Sequence, residues 1–415
     1  MKILAVSLAY PPLAYPRSVQ VARLLKHSNS ETTLFCADEP GTRLDPTIEP
    51  DAESGLAACI RVPVRRSKAD ILIGRAAYRF ARGVWNKRNL APDAYGKWRS
   101  DVLKSIEDHL SDHSFSPDVI VTFAQPFSDH LIGLELKKQF GLPWLAHFSD
   151  PWVDNPFSRL DQASLKLNLA LERSVTERAD VLAFTSAETV DLYFAKYPER
   201  LKSKARVLPQ CFGEIAGIEA EKGNEHDLIV RYLGNFYGHR TPAPLIRSLL
   251  DIHNSTPALI DQVRFELIGP GDADEARRMS RDLPAGLLRI IPSVNYEESV
   301  KLMRSADGLI VIDAPAVKSV FLPSKLIDYI GAARPVLAIT PEGTASTLVR
   351  ELGGFVADPA HPDRIIDAIR SFLNLLQMRR RSGSSTDWGD PSVRQRFTPQ
   401  KIAADFSGIL AEIVK

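Results

Sequence analysis

The sequence predicts an α/β protein built of two successive doubly wound units, and three observations carry that expectation. The chain has 415 residues, more than one hydrophobic core usually serves, so two domains of roughly 200 residues each are expected. Short runs rich in Val, Ile and Leu alternate with longer amphipathic stretches along almost all of it, which is the pattern of βαβ units and parallel sheets. Residues 213–227 interrupt the alternation with few large apolar side chains and read as a linker. The domains are therefore expected at 1–212 and 228–397, with a final amphipathic helix over 398–415.

In the first unit, apolar runs predict strands at 2–8, 32–36, 118–123, 143–148, 181–184 and 206–208. Amphipathic spacing predicts helices at 17–27, 127–140, 160–179 and 187–197. In the second unit, strands are expected at 228–233, 264–268, 288–291, 308–312 and 335–339. Helices fit at 242–254, 274–281, 296–305, 323–333, 346–352 and 362–377. Residues 378–393, with Arg379, Arg380, Arg381, Ser382 and Gly383 followed by further turn formers, have no hydrophobic period and predict a surface connection. Ligands of open α/β sheets bind outside the C-terminal ends of the strands, so a cleft lined by both sets of strand ends is the expected active site.

Hydrophobic residues at 44 % and charged residues at 25 % are near the globular average, so a full core forms without disulfides or metals. A net charge of +1 gives no global field for nucleic acid, and no nucleic-acid partner is expected. Cys36, Cys59 and Cys211 are few and widely spaced, with neither CxxC nor zinc-ligand spacing, which fits a reducing compartment and buried, unreactive thiols. The opening apolar run ends at Pro11 and Pro12, too short for a signal h-region or a membrane span. A cytoplasmic protein, with peripheral contact to the inner membrane face, is the expectation. That contact would fall on residues 61–99, which carry eleven Lys or Arg against two Asp or Glu, interleaved with Ile71, Leu72, Ile73, Tyr78, Phe80 and Trp85. The segment reads either as a solvated helix pair or as a surface for anionic headgroups or a lipid-linked acceptor.

No P-loop, GxSxG elbow or HExxH is present, which removes the commonest NTPase and hydrolase signatures. Asp272 and Asp274 form a lone D-x-D at the head of an expected helix, where carboxylates favour the N-terminal dipole, so no metal site is expected there. The most informative stretch is Phe321-Leu-Pro-Ser-Lys-Leu-Ile-Asp-Tyr-Ile-Gly-Ala-Ala-Arg-Pro-Val336. Pro323 and Ser324 start a helix and Pro335 opens the next strand. Lys325 falls in the first turn with Asp328 three residues on, so the two share a face. Backbone N–H groups, the helix dipole and Lys325 together suit a diphosphate, and Asp328 suits sugar or ribose hydroxyls. Spacing alone fits equally well a helix start with an ordinary Lys and Asp pair.

That run resembles the C-terminal donor motif of glycosyltransferase family 4, retaining enzymes of the GT-B fold, in which two Rossmann-like domains face a cleft. The second Glu of the family's Glu-x7-Glu pattern aligns with Asp328, and the first falls on Val320. Tyr232-Leu-Gly-Asn-Phe-Tyr-Gly-His-Arg240 resembles the family's loop ending in Arg and Lys. Arg240 stands at the Lys position, and Asn235 replaces the Arg. In the first half, the opening strand and the loop through Pro12 resemble the family's acceptor side, with Ala14-Tyr15-Pro16-Arg17 in place of Gly-Gly. Residues 123–133 and 141–152 resemble a subgroup acting in surface polysaccharide assembly. His147 lies where many members have a His that contacts the transferred sugar, although a His after an apolar strand is as often a satisfied core residue. Asp150 beside it reads as a site residue or as the cap of the turn before Pro151.

The resemblance implies a retaining, metal-independent hexosyltransferase. Gly234, Asn235, Arg240, Ser324, Lys325 and Leu326 would bind a nucleoside diphosphate sugar. His147 and Asp328 would be the catalytic pair, and Pro12, Tyr15 and Arg17 would line the acceptor side. No cofactor beyond the donor is implied, the acceptor being a saccharide or lipid-linked hydroxyl. Two alternatives share the architecture: a sugar-nucleotide epimerase, and a catalytically degenerate binding protein arising from the departures at Val320 and Asn235.

Overall fold

The computed structural model describes residues 1–39, 43–64, 92–111, 115–157, 160–213, 227–236, 238–383 and 387–414. They divide into two compact units, one of Met1–Pro209 with Ile402–Lys415 and one of Gln210–Lys401. The expected linker at 213–227 lies almost wholly outside the described residues, as do 65–91 of the basic segment with all six of its interleaved apolar side chains.

The first unit is a seven-stranded parallel sheet in the order β3-β2-β1-β4-β5-β6-β7. Its strands are β1 (Lys2–Ser7), β2 (Glu31–Asp38), β3 (Ala58–Pro63), β4 (Val119–Ala124), β5 (Trp144–Phe148), β6 (Val181–Phe184) and β7 (Ala205–Val207). Its helices include α1 (Pro16–His27), α2 (Gly96–Ser111), α3 (Ser128–Phe140), α4 (Gln162–Arg178), α5 (Ala187–Phe194) and α6 (Glu199–Lys202). Every position of β4, β5 and β6 is buried. This is why these strands read as near-continuous apolar runs, interrupted only by Thr122 and His147: helices cover both faces of a parallel sheet. Phe148 stacks on Phe184 with ring centroids 5.0 Å apart, and α3 lies against β5 at Gly133, where a Cβ would lie 2.5 Å from the indole of Trp144.

The second unit is a six-stranded parallel sheet in the order β10-β9-β8-β11-β12-β13. Its strands are β8 (Leu228–Leu233), β9 (Val263–Ile268), β10 (Leu288–Ile291), β11 (Gly308–Ile312), β12 (Val336–Ile339) and β13 (Phe355–Ala357). Around it run α7 (Ala243–Ser255), α8 (Ala273–Met279), α9 (Tyr296–Ser305), α10 (Ser324–Ala332), α11 (Thr344–Glu351), α12 (Pro362–Arg381) and α13 (Pro391–Gln395). Alternate strand residues feed two apolar layers. Val230, Tyr232, Ile310 and Ile312 pack with Leu245, Leu249 and Phe372, whereas Leu233, Leu309 and Val311 pack with Leu326, Ile330 and Val349. The last helix, α14 (Pro399–Ile413), buries Ile402, Phe406 and Leu410 at four-residue spacing. Near its end, Glu412 pairs with Arg206 at 2.6 Å.

Several elements depart from the sequence expectation. The first is α2, inside and beyond the basic segment, which buries Trp98, Val102 and Ile106, a four-residue stripe that the local charge masks. Strands β3 and β13 are edge strands, half-buried in β3 and only three residues long in β13, so neither carries a full apolar run. The expected connection at 378–393 is shorter. Helix α12 continues to Arg381, its arginines sitting where the C-terminal dipole favours cations. Asp390 caps α13 by accepting from the N–H groups of Ser392 and Val393. The helix expected over 187–197 breaks before Pro198, which cannot continue it. Two of the cysteines are also less isolated than their spacing implies, for Cys36 and Cys59 meet with sulfurs 3.6 Å apart, and the hydrogen bond between them pulls the Cys59 thiol down. No helix among the described residues is long and apolar enough to cross a membrane.

Candidate functional site

Strand order picks out a candidate site in the second unit. From β8 the chain first builds outward through β9 and β10, then returns to the other side of β8 with β11. The loops after β8 and β11 therefore diverge, and such a switch point is where open α/β sheets hold ligands. Helix α10 starts beside it. Tyr329 on α10 accepts a hydrogen bond from the N–H of Leu233 at the end of β8 (3.1 Å), and the Lys325 ammonium donates to the Leu233 carbonyl. Gly234 makes that contact possible: at φ +144°, a Cβ there would lie 1.6 Å from the Lys325 nitrogen. Lys325 is half-buried, and its pKa falls to about 8, first through burial and then through the charge of Arg240, with Asp328 acting the other way. Arg240 and Lys325 are thus close enough to feel each other at the start of a helix whose first N–H groups have no helical acceptor.

Arg240 is held from below. Its guanidinium donates to Asp313 at 2.8 Å, and Asp313, directly after β11, is only 3 % exposed. The same carboxylate accepts from the N–H of Ala314 (3.0 Å) and the hydroxyl of Ser319 (3.1 Å). Ser319 makes an isolated parallel bridge with Gly343, whose φ of +141° and missing Cβ leave room for the Ser319 carbonyl. Strand-end logic could have flagged Asp313, a carboxylate directly following the apolar run Gly308–Ile312, but spacing gave no hint of its partner.

In the first unit the corresponding switch point lies between β1 and β4. The carboxylate of Asp129, on the first turn of α3, accepts from the N–H of Leu8 at 2.8 Å, and burial holds its pKa well above the usual range. Arg17, on the first turn of α1, is buried; one nitrogen lies 2.7 Å from His147 Nδ1 and 2.8 Å from its carbonyl, and another donates to Gln20 at 2.9 Å. Burial pulls Arg17 down to about 9, against the opposing charges of Asp150 and Asp129. Because the guanidinium can only donate, His147 Nδ1 is an acceptor and Nε2 carries the hydrogen, which points to the Leu208 carbonyl at 3.2 Å. Burial and the Arg17 charge hold this imidazole well below its usual range, so it is neutral. Asp150, raised by burial, receives Gln125 (3.3 Å) and Ser149 (3.2 Å).

The sequence-predicted residues therefore fall into two groups, one in each unit. Gly234, Arg240, Lys325 and Asp328 gather at the β8/β11 switch point, and Ser324 opens α10 with no side-chain cap on Pro323. Asn235 stands where the loop after β9 comes nearest, since a Cβ on Gly271 would lie 1.9 Å from its Oδ1. Leu326 is fully buried and donates its N–H to Pro323, so its side chain packs the helix. Val320 is buried as well and offers its carbonyl to Thr344. His147, Arg17 and Asp150 gather at the strand ends of the first unit. Tyr15 is the N-cap residue of α1, and the Pro12 carbonyl accepts from Asp45 at 2.8 Å. Asp272 caps α8 by accepting from Glu275 at 2.8 Å, and Asp274 pairs with Arg277. Among the described residues, no group of three or more His, Cys, Asp or Glu could hold a metal ion.

Residues 16–209 match the family described as the glycosyl transferase 4-like domain. No curated protein matches the chain in sequence. Three similar solved structures share its fold from end to end. Sucrose-phosphate synthase of Thermosynechococcus elongatus is 15 % identical with a TM-score of 0.67, covering 99 % of this chain and 98 % of that one. HepE of Anabaena, in complex with UDP and glucose, is 14 % identical at 0.64, covering 99 % and 100 %. The lipopolysaccharide outer core galactosyltransferase WaaB in its apo form is 14 % identical at 0.60, covering 99 % of each chain. With a glycosyl transferase 4-like domain over residues 16–209 and two doubly wound parallel sheets in succession, this chain has the GT-B fold of glycosyltransferases.

Proposed function

We propose that the second unit binds a nucleoside diphosphate sugar and that the enzyme transfers the sugar, with retention and without a divalent cation, to a hydroxyl of a saccharide or lipid-linked acceptor. The observation that carries this reading is Lys325 on the first turn of α10, bonded to the end of β8 and within reach of the charge of Arg240. Two cations and an end-on helix are the arrangement a departing diphosphate needs, and fixed donors aimed at developing charge supply much of an enzyme's rate. Asp328, one turn on from Lys325, is proposed to accept from hydroxyls of the sugar or ribose. In the first unit His147 would reach the sugar by exchanging its Nε2–H bond from the Leu208 carbonyl to a hydroxyl, its neutral tautomer fixed by Arg17. Arg17, Tyr15 and Pro12 are proposed to serve the acceptor.

The UDP bound to HepE supports a uridine donor, and the name of WaaB supports a place in surface polysaccharide assembly. A cytoplasmic location with peripheral attachment to the inner membrane face goes with that role. The test is a thermal-shift series with UDP, GDP, ADP and dTDP, with and without EDTA, since a ligand of the native state raises the melting temperature. A selective shift that survives EDTA and vanishes in Lys325→Ala is expected. A shift that EDTA removes would end the metal-independent reading, and no shift with any nucleotide would leave a catalytically silent relative. Product analysis with the nucleotide's sugar conjugates then separates transfer from epimerisation.

A further inference from the structure

We infer that Asp313 is the positioning residue of the donor site, setting Arg240 for the diphosphate; this rests on the donor-site reading above. A long guanidinium side chain at the end of a loop loses rotamer freedom when it clamps an anion, and ordering it beforehand removes that cost from binding. Asp313 is built to do so. Its backbone N–H donates to the Ile339 carbonyl at 2.9 Å, which fixes it between β11 and β12, and its carboxylate is turned by Ala314 N–H and Ser319 Oγ toward Arg240.

Ser319 is in turn locked by two backbone bonds. Its N–H donates to Glu342 (2.8 Å), and its carbonyl accepts from Thr344 (3.1 Å). The Asp313–Arg240 bond is charge-assisted and shielded from water, so it is among the stronger hydrogen bonds available to a side chain. It engages one nitrogen of a guanidinium whose five N–H donors lie in a single plane, so fixing that nitrogen sets the direction of the whole fork. A negative charge next to a diphosphate is otherwise unfavourable, and this one is retained at the base of the site with its oxygens already occupied by three donors.

The test is a double-mutant cycle read as dissociation constants for whichever of UDP, GDP, ADP and dTDP binds the wild-type protein most tightly. Asp313→Asn, which keeps the side-chain shape, is expected to weaken binding about tenfold, of the order seen when a hydrogen bond to a charged group is lost. Ser319→Ala, which leaves the ion pair in place, is expected to weaken it less. In the Arg240→Ala background neither change should weaken binding further, because residues that act through one another are not additive. Wild-type affinity in Asp313→Asn, or a full additional loss in the double variant, overturns the inference while leaving the donor site intact. Unchanged binding in Arg240→Ala, or no binding of any nucleotide by the wild-type protein, overturns the donor-site reading and the inference with it.

Discussion

Lys325 shows how one side chain combines what the sequence announces with what only its surroundings set. Its place on the first turn of α10 follows from Pro323 and Ser324, but its pKa of about 8, down from 10.5, comes from burial and from Arg240. A diphosphate prefers the ammonium form. Below about pH 8 the unliganded protein already holds that proton, and above it binding must take one up. Nucleotide affinity is therefore expected to fall by up to about tenfold per pH unit above 8, as titration calorimetry from about pH 7 to 9 would show. Lys325→Ala should flatten that limb, and an equal slope in the variant would assign the titration elsewhere. For stability the sign is opposite. The unfolded chain binds the extra proton between about pH 8 and 10.5, so the cost of the buried ammonium is relieved as pH rises through that window. His147 differs in kind. The sequence marks it as a strand-end histidine, and the fold engages both ring nitrogens, one with a guanidinium that lies 130 residues away in the chain.

At the scale of elements, the seam between α3 and β5 is sensitive to volume. A methyl group on Gly133 would meet Trp144 at 2.5 Å and the Thr122 methyl at 2.7 Å, and neither can yield easily, because the Trp144 indole N–H is hydrogen-bonded to Thr122 at 3.0 Å and its ring is fully buried. Gly133→Ala should therefore destabilise the first unit by roughly 1–3 kcal/mol, the usual cost of overpacking, measurable as a lower midpoint in calorimetry; an unchanged midpoint would mean that helix and strand separate without strain. The elements themselves were legible where their period was clean. Strands β8, β10 and β11 and helix α9 stand where alternation put them, because continuous apolar runs and a 3.6-residue stripe are local properties. Helix α2 was not, since its stripe of Trp98, Val102 and Ile106 lies among charges. Strands β3 and β13 were not either, because an edge strand draws its order from its neighbour more than from its own side chains.

At the scale of the whole molecule, each unit has its own core, and the chain ends by returning residues 402–415 to the first unit. Phe406 and Leu410 are fully buried there. Phe406→Ala should cost about 3–5 kcal/mol and lower the unfolding transition of the first unit while the second keeps its own. Calorimetry with and without a bound nucleotide would assign the two transitions, and an equal drop in both would show that the units unfold as one.

What the sequence determined by itself is the alternation of strands and helices that builds two successive parallel sheets, which is written in composition and short-range period. The tertiary structure decided which polar groups meet. Asp313 finds Arg240 across 73 positions, and Arg17 finds His147 across 130, because strand order brings the ends of β8 and β11, and the first turn of α1 and the end of β5, together. Local pattern fixes the elements, but the neighbour that each strand end faces is a property of the sheet.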